Sequence, residues 1–437
     1  MMMKTQINNS VFIAMACFVL LPCSLFGQNN IQPLDLTTVM QLGGANNLVI
    51  QEHLKKQALE MANSKRAREW WLTDFYTGPT VHQIWGNAMN GDGKIFQDVN
   101  RQNLWAGLGM NVSWDFGTGI FKANAAELKV KASEFKSQAE KNRKILEIIH
   151  TYYDFLAAQF FYNAYDNLAA QSDTIAQQIG LQVTAGLRYE SEFLLAQSNT
   201  SHLKIEVLSS KMTRDKLAAN LTRLLNLDPS VTIIAVDSVL TPIQLEGSSD
   251  SISFVSAHEK RPEIQDLTLT LQSLEEEKKI TSTALYLPEL RVGTYASTFG
   301  DIFSPSNPTG AVNAALIWRL PVGRINNGGA VQQYDANIAL QENQIHQAKA
   351  QINEELMRSS NIIQVAKQQI DVSISGKQMA EKALEQCVLR QQAGTVRPFE
   401  ILQVQEVYIK SKLDYLQAVA SYNKAQYALF VASGNNL

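Results

Sequence analysis

Asn103-Leu-Trp-Ala-Gly-Leu-Gly-Met-Asn-Val-Ser-Trp-Asp-Phe116 carries an apolar residue at every even position: Leu104, Ala106, Leu108, Met110, Val112, Trp114 and Phe116. The odd positions after Trp105 are Gly107, Gly109, Asn111, Ser113 and Asp115. A period of two over this length predicts a strand with one apolar and one polar face. Aromatic residues near both ends suit a strand that crosses a lipid layer. The same stripe returns at Val312, Ala314, Leu316, Trp318 and Leu320, opposite Asn313 and Arg319. Each stripe has a weaker partner before it, over 76–87 and 288–299. The loops between partners carry turn chemistry, Asn90-Gly-Asp-Gly93 in one and Ser304-Pro-Ser-Asn-Pro308 in the other. A soluble sandwich would show the same alternation with its apolar face in a core. Four strands alone do not close a barrel, so either reading needs strands from elsewhere.

Immediately beyond the first stripe the period changes. Residues 120–179 contain neither Gly nor Pro and are rich in Ala, Glu, Lys, Gln and Leu, all strong helix formers. Ile145, Ile148, Tyr152 and Phe155 step by three and four, a heptad seam. A helix of about 60 residues is about 90 Å long, far beyond a globular helix. A second helix is expected over 191–227 after a stop near Gly180 to Gly186. The pair recurs over 329–392 and 398–431, with a turn at Ala393-Gly394 and Pro398 in the first turn of the returning helix.

The two halves repeat. Trp114 and Trp318 stand 204 residues apart, and Pro79 lies 209 before Pro288. Ala185-Gly-Leu187 matches Ala393-Gly-Thr395 at an offset of 208, where Phe193-Leu-Leu-Ala-Gln197 also faces Ile401-Leu-Gln-Val-Gln405. The expected division is a signal peptide over 1–27, a first repeat over 28–227, an equatorial segment over 228–253 and a second repeat over 254–437. Each repeat opens with a helix before its strands.

The leader reading rests on Lys4, the 11-residue apolar stretch Val11–Leu21, and the break at Pro22 before Gly27. That stretch is too short for a membrane-spanning helix, and no run of 18 apolar residues follows position 30. Cys17 and Cys23 fall inside the leader, in contexts poor for lipid attachment, which leaves Cys387 alone and no internal disulfide. The formal charge of −3 gives no footprint for nucleic acid. The six His are scattered, and no metal, phosphate, calcium or nucleophile motif stands up to its spacing rules. No cofactor and no catalysis are expected.

A duplicated strand-pair and long-helix-pair plan in an exported chain resembles the TolC family of outer-membrane efflux and secretion channels. Arg261-Pro-Glu-Ile264 is similar to the family's segment between repeats, and Tyr286-Leu-Pro-Glu-Leu290 to its approach to the third strand. Gln392-Ala-Gly-Thr395 and Ala185-Gly-Leu187 look like its helix-tip turns. Asp414-Tyr-Leu-Gln-Ala418 through Tyr427-Ala-Leu-Phe430 and Gly434 looks like its last helix. The resemblance implies a homotrimer whose chains each give four strands to one 12-stranded barrel in the outer membrane. Below it, the helices would continue as a hollow α-barrel through the periplasm, their seams meeting neighbouring chains.

The resemblance also implies a passive duct, coupled through a periplasmic adaptor protein to an inner-membrane transporter of resistance-nodulation-division or ABC type. Gly186, Leu187, Gly394 and Thr395 would form the adaptor-docking tips. Glu400 would line a pore constriction with Gln403 beside it and Glu192 as its first-repeat counterpart. Leu104, Leu108, Met110, Val112, Trp114, Val312, Leu316 and Trp318 would face lipid. Solvated acids at helix starts are the plainer reading of Glu192 and Glu400. A periplasmic coiled-coil scaffold without a pore is the competing function, and two apolar-striped strands per repeat speak against it.

Overall fold

The structure is a computed structural model, described for residues 31–437 except 238, 246–253, 302–303, 320–321 and 323–327. The proposed leader therefore lies outside the described residues, as does part of the equatorial segment. The chain opens with β1 (Ile31–Leu34), α1 (Leu36–Asn46) and α2 (Leu48–Arg68), followed by β2 (Asp74–Met89) and β3 (Ile95–Asp115). Helix α3 (Phe116–Thr184) and helix α4 (Glu190–Leu224) form the first long pair, and β4 (Thr232–Ala235) follows. Then come α5 (Phe254–Lys260), α6 (Pro262–Thr281), β5 (Glu289–Asp301) and β6 (Ser304–Ile317). The second long pair is α7 (Gly329–Gln392) and α8 (Pro398–Ala432). At 1.5 Å per residue the 69 residues of α3 are about 100 Å long.

Strand order β2-β3-β5-β6 is antiparallel throughout, so β2 and β6 are the free edges. Proline falls on these edge strands, which pair on one side only within the chain: Pro79 in β2, Pro305 and Pro308 in β6. Pairing of Leu108 with Thr77 and Ala296, and of Val292 with Val112 and Ala314, fixes the faces. One face gathers Phe75, Val81, Leu108, Val112, Val292, Val312 and Leu316. The other gathers Asp74, Tyr76, Asn111, Ser113, Glu289, Arg291 and Asn313. Glycines on this polar face let the sheet curl. A side chain at Gly109 would strike the Tyr76 ring at 2.1 Å, and one at Gly107 would meet the Ala296 carbonyl at 2.4 Å.

Three boundaries differ from expectation. Strand β6 starts at Ser304, seven residues before the 311 that alternation indicates, and its Pro-rich start pairs with β5 rather than forming the loop. An edge strand tolerates the prolines that read as a turn. Strand β3 starts at Ile95, and residues before Leu104 pair only with β2. That ribbon stands clear of the sheet with water on both sides, so it carries no alternation to read. Helix α3 begins at Phe116 because Gly117 and Gly119 act as packing gaps, not breakers: a side chain at Gly119 would enter the Trp70 ring. The Asp115 carboxylate caps it, accepting from the Thr118 amide at 3.0 Å.

The heptad seam also has a different partner. Ile145, Ile148, Tyr152 and Phe155 are buried inside one chain, against Leu34 of β1, Val39 of α1, Leu221 and Leu225 at the end of α4, Ile233 of β4 and Val419 of α8. Each such aliphatic or aromatic side chain contributes roughly 1.5–3 kcal/mol on leaving water. Strands β1 and β4 pair in parallel beside this core, and Tyr152 donates to Asp237 at 2.6 Å. The short strands were not legible because four residues hold too little periodicity. Above this core α2 packs on α3, α3 on α6 and α6 on α7; below it α4 packs on α3, α3 on α8 and α8 on α7.

Candidate functional site at the helix-hairpin tips

Both long helices end the same way. Gly186 has φ +74° and Gly394 φ +75°, the left-handed region that glycine enters without Cβ strain. The Leu187 amide donates to the Gln182 carbonyl and the Gly186 amide to the Val183 carbonyl. The Thr395 amide donates to the Arg390 carbonyl and the Gly394 amide to the Gln391 carbonyl. These paired bonds close the last carbonyls of each helix in a Schellman turn. No atom lies within 4 Å of a Cβ built on either glycine, so both turns face open space. Leu187 and Thr395 are exposed beside them, with Tyr189 exposed just before α4 and Phe399 exposed in the first turn of α8.

The three expected pore residues occupy different surroundings. Glu400 is exposed in the first turn of α8 and, among the described residues, makes no ion pair. Gln403 is exposed one turn further on. Glu192 instead meets Arg188 at 3.5 Å. The Arg188 side chain is 8% exposed, and its guanidinium also donates to the Val396 carbonyl at 2.8 Å and to Gln182. One arginine thus ties the first hairpin tip to the second. Sequence reasoning missed it; the signal was a charge in a turn, at the 208 offset from apolar Val396. Gln391 was missed too: it is fully buried, with neither amide atom hydrogen-bonded. Beneath the tips Asn199 donates to Gln405 and to Ser172, joining α4, α8 and α3. The buried Cys387 thiol is pushed up by burial first and by Glu400 second, which keeps it protonated and unreactive.

The expected lipid-facing residues share one face of the sheet, though not one environment. Leu108, Val312 and Leu316 are 65%, 77% and 52% exposed. Val112 is buried in the single chain, and Leu104, Met110 and Trp114 are half-buried, the Trp114 indole donating to the Trp71 carbonyl. Trp318 lies one residue past β6 and is exposed. Among the described residues no group of His, Cys, Asp and Glu could hold a metal ion, and no helix is long and apolar enough to cross a membrane.

No protein-family model matches this sequence, and no curated protein matches it. Solved structures do match. A membrane protein from Pseudomonas aeruginosa superposes with a TM-score of 0.77 at 14% identity, covering 94% of this chain and 92% of that one. The Campylobacter jejuni CmeC outer membrane channel gives 0.76 at 16% identity, covering 91% and 85%. The outer membrane protein VceC of Vibrio cholerae gives 0.75 at 15% identity, covering 92% and 96%. At such identities the shared property is the fold. It is the fold of outer-membrane channels, in agreement with the TolC resemblance drawn from the sequence.

Proposed function

We propose that this chain is one third of an outer-membrane exit duct. It would be a passive channel that joins an inner-membrane transporter, through a periplasmic adaptor, to the cell exterior in a tripartite efflux or type I secretion system. The observation that carries this reading is the sheet. Its apolar face carries exposed Phe75, Val81, Leu108, Val312 and Leu316, its other face is polar, and each edge strand is unpaired on its outer side. Three copies joined β6 to β2 make twelve strands and leave no edge. The apolar face then meets lipid and the polar face lines a lumen.

The helices support the same closure. Exposed Ile205, Leu208 and Met212 form a stripe on α4, and exposed Val365, Val372 and Met379 step by seven along α7. Within one chain α4 and α7 are the outer helices of the lower half. Both stripes lie about 20–40 Å above the tips at 1.5 Å per residue, so α4 of one copy would meet α7 of the next. The apparatus at Gly186, Leu187, Gly394 and Thr395 would then form a crown of six turns for the adaptor. The test is reconstitution of the mature protein into planar bilayers with native electrophoresis alongside. Trimers that conduct support the duct; a protein that stays in the soluble periplasmic fraction is a scaffold and overturns it.

A further inference from the structure

Four helices cross one level just below the sheet, and an ion pair links each to the next. Arg68 at the end of α2 binds Glu127 of α3 at 2.7 Å. Lys129 of α3 binds Glu277 of α6. Lys278 of α6 binds Asp335 of α7 at 2.6 Å. The order of charge is the same at every step, a cation on one helix reaching an acid on the next. Glu277 and Lys278 are consecutive, and Glu127 and Lys129 share one turn, so the three pairs lie at one height.

This belt has two loose ends. On α7, the Asp335 side chain is 53% exposed and, among the described residues, is engaged by one lysine. On α2, Lys65 and Arg66 are exposed, and among the described residues neither has an ion-pair partner. They sit three and two residues before Arg68, so their height is that of the belt. Within the chain α2 does not pack on α7, because α3 and α6 stand between them. We infer that the belt continues from chain to chain, Lys65 and Arg66 of one copy pairing with Asp335 of the next, so that three copies close a ring of twelve helix-to-helix links, nine within chains and three between them. The inference rests on the trimeric duct reading and adds to it the partner and the register of the upper helices.

Flanking residues fit the same contact. Met61 on α2, exposed, lies four to five residues below the loose cations; exposed Leu340 lies five residues below Asp335 on α7. An acid and an apolar residue on one helix thus oppose cations and an apolar residue on the other. Exposed ion pairs contribute only about 0–1 kcal/mol each, so the belt's role is register: it penalises like charges brought opposite by a slip of one turn.

Full-length protein with Cys387→Ser as background tests this. Chains carrying Arg66→Cys with Asp335→Cys should join into a covalent three-chain species when membranes are treated with a short bismaleimide. Chains carrying Lys55→Cys with Asp335→Cys, a site eleven residues lower on α2, should not. As a second arm, Asp335→Arg should lower the dissociation temperature of the trimer, and adding Arg66→Glu should restore it. Intact trimers in which the Arg66→Cys, Asp335→Cys chains stay unlinked, or equal product from the lower pair, overturn the belt and leave the trimer standing. A wild-type chain that is monomeric in the membrane overturns the duct reading itself.

Discussion

Glu400 and Glu192 occupy equivalent positions in the two halves, yet among the described residues Glu192 has a counter-charge and Glu400 has none. A three-fold axis would bring three unpaired Glu400 carboxylates to the mouth, where their joint potential concentrates cations. Glu400→Gln should reduce cation selectivity and block by multivalent cations in single-channel recordings, with the difference fading as salt rises. Identical selectivity in both proteins would leave Glu400 as a solvated helix-start acid. Asp266 of α6 makes a second residue-scale prediction. Burial raises its pKa to about 6, against the attraction of Lys136. A carboxyl whose folded pKa lies above its unfolded value favours folding below about pH 4 and forfeits that contribution as pH rises towards 6. Asp266→Asn should therefore raise the melting temperature at pH 7.5 and change it little at pH 4. Equal shifts at both pH values would refute the assignment.

Strands and helices differed in how much of them could be read in advance. Alternation from Leu104 to Trp114 exposed β3 only where one face is apolar; the wet ribbon of residues 95–103 left no trace. Long helices were legible because long runs of strong helix formers with little Gly or Pro stand out from the sequence itself. Their ends were misread where Gly117 and Gly119 serve packing. The tip glycines were found by the 208 repeat, whereas Arg188 was not, because its partners Glu192 and Val396 come together only when two hairpins meet. Leu108→Arg places a charge on the apolar face at roughly 2–4 kcal/mol per chain at the bilayer midplane and should lower trimer yield sharply. Thr80→Arg, on the opposite face, should be tolerated. Equal yields would remove the lipid-facing assignment.

At the scale of the whole molecule, the proposed closure would depend on surfaces that a single chain leaves bare. The inner seam Ile145–Phe155 is satisfied within the chain, so the equatorial core is built from the residues of one copy. The outer stripes on α4 and α7 are not satisfied. Leu208→Glu or Val372→Glu should leave helix content unchanged while shifting the protein from trimer to monomer in detergent, as read by circular dichroism and light scattering. A trimer that survives both substitutions would place the chain–chain contact elsewhere.

The unbroken course of α3 from sheet to tip has a bearing on how such a molecule can change in length. One residue inserted midway would turn everything below by about 100°, carrying buried positions to the surface and the tip turn away from its neighbour. Seven residues return the seam to phase, to within about 20°. They would have to enter α3 and α7 together, with as many in α4 and α8, or the two tips would no longer be level and the returning helices would no longer reach the equatorial core. The reach of the helical part can therefore grow or shrink only in matched steps of about 10 Å.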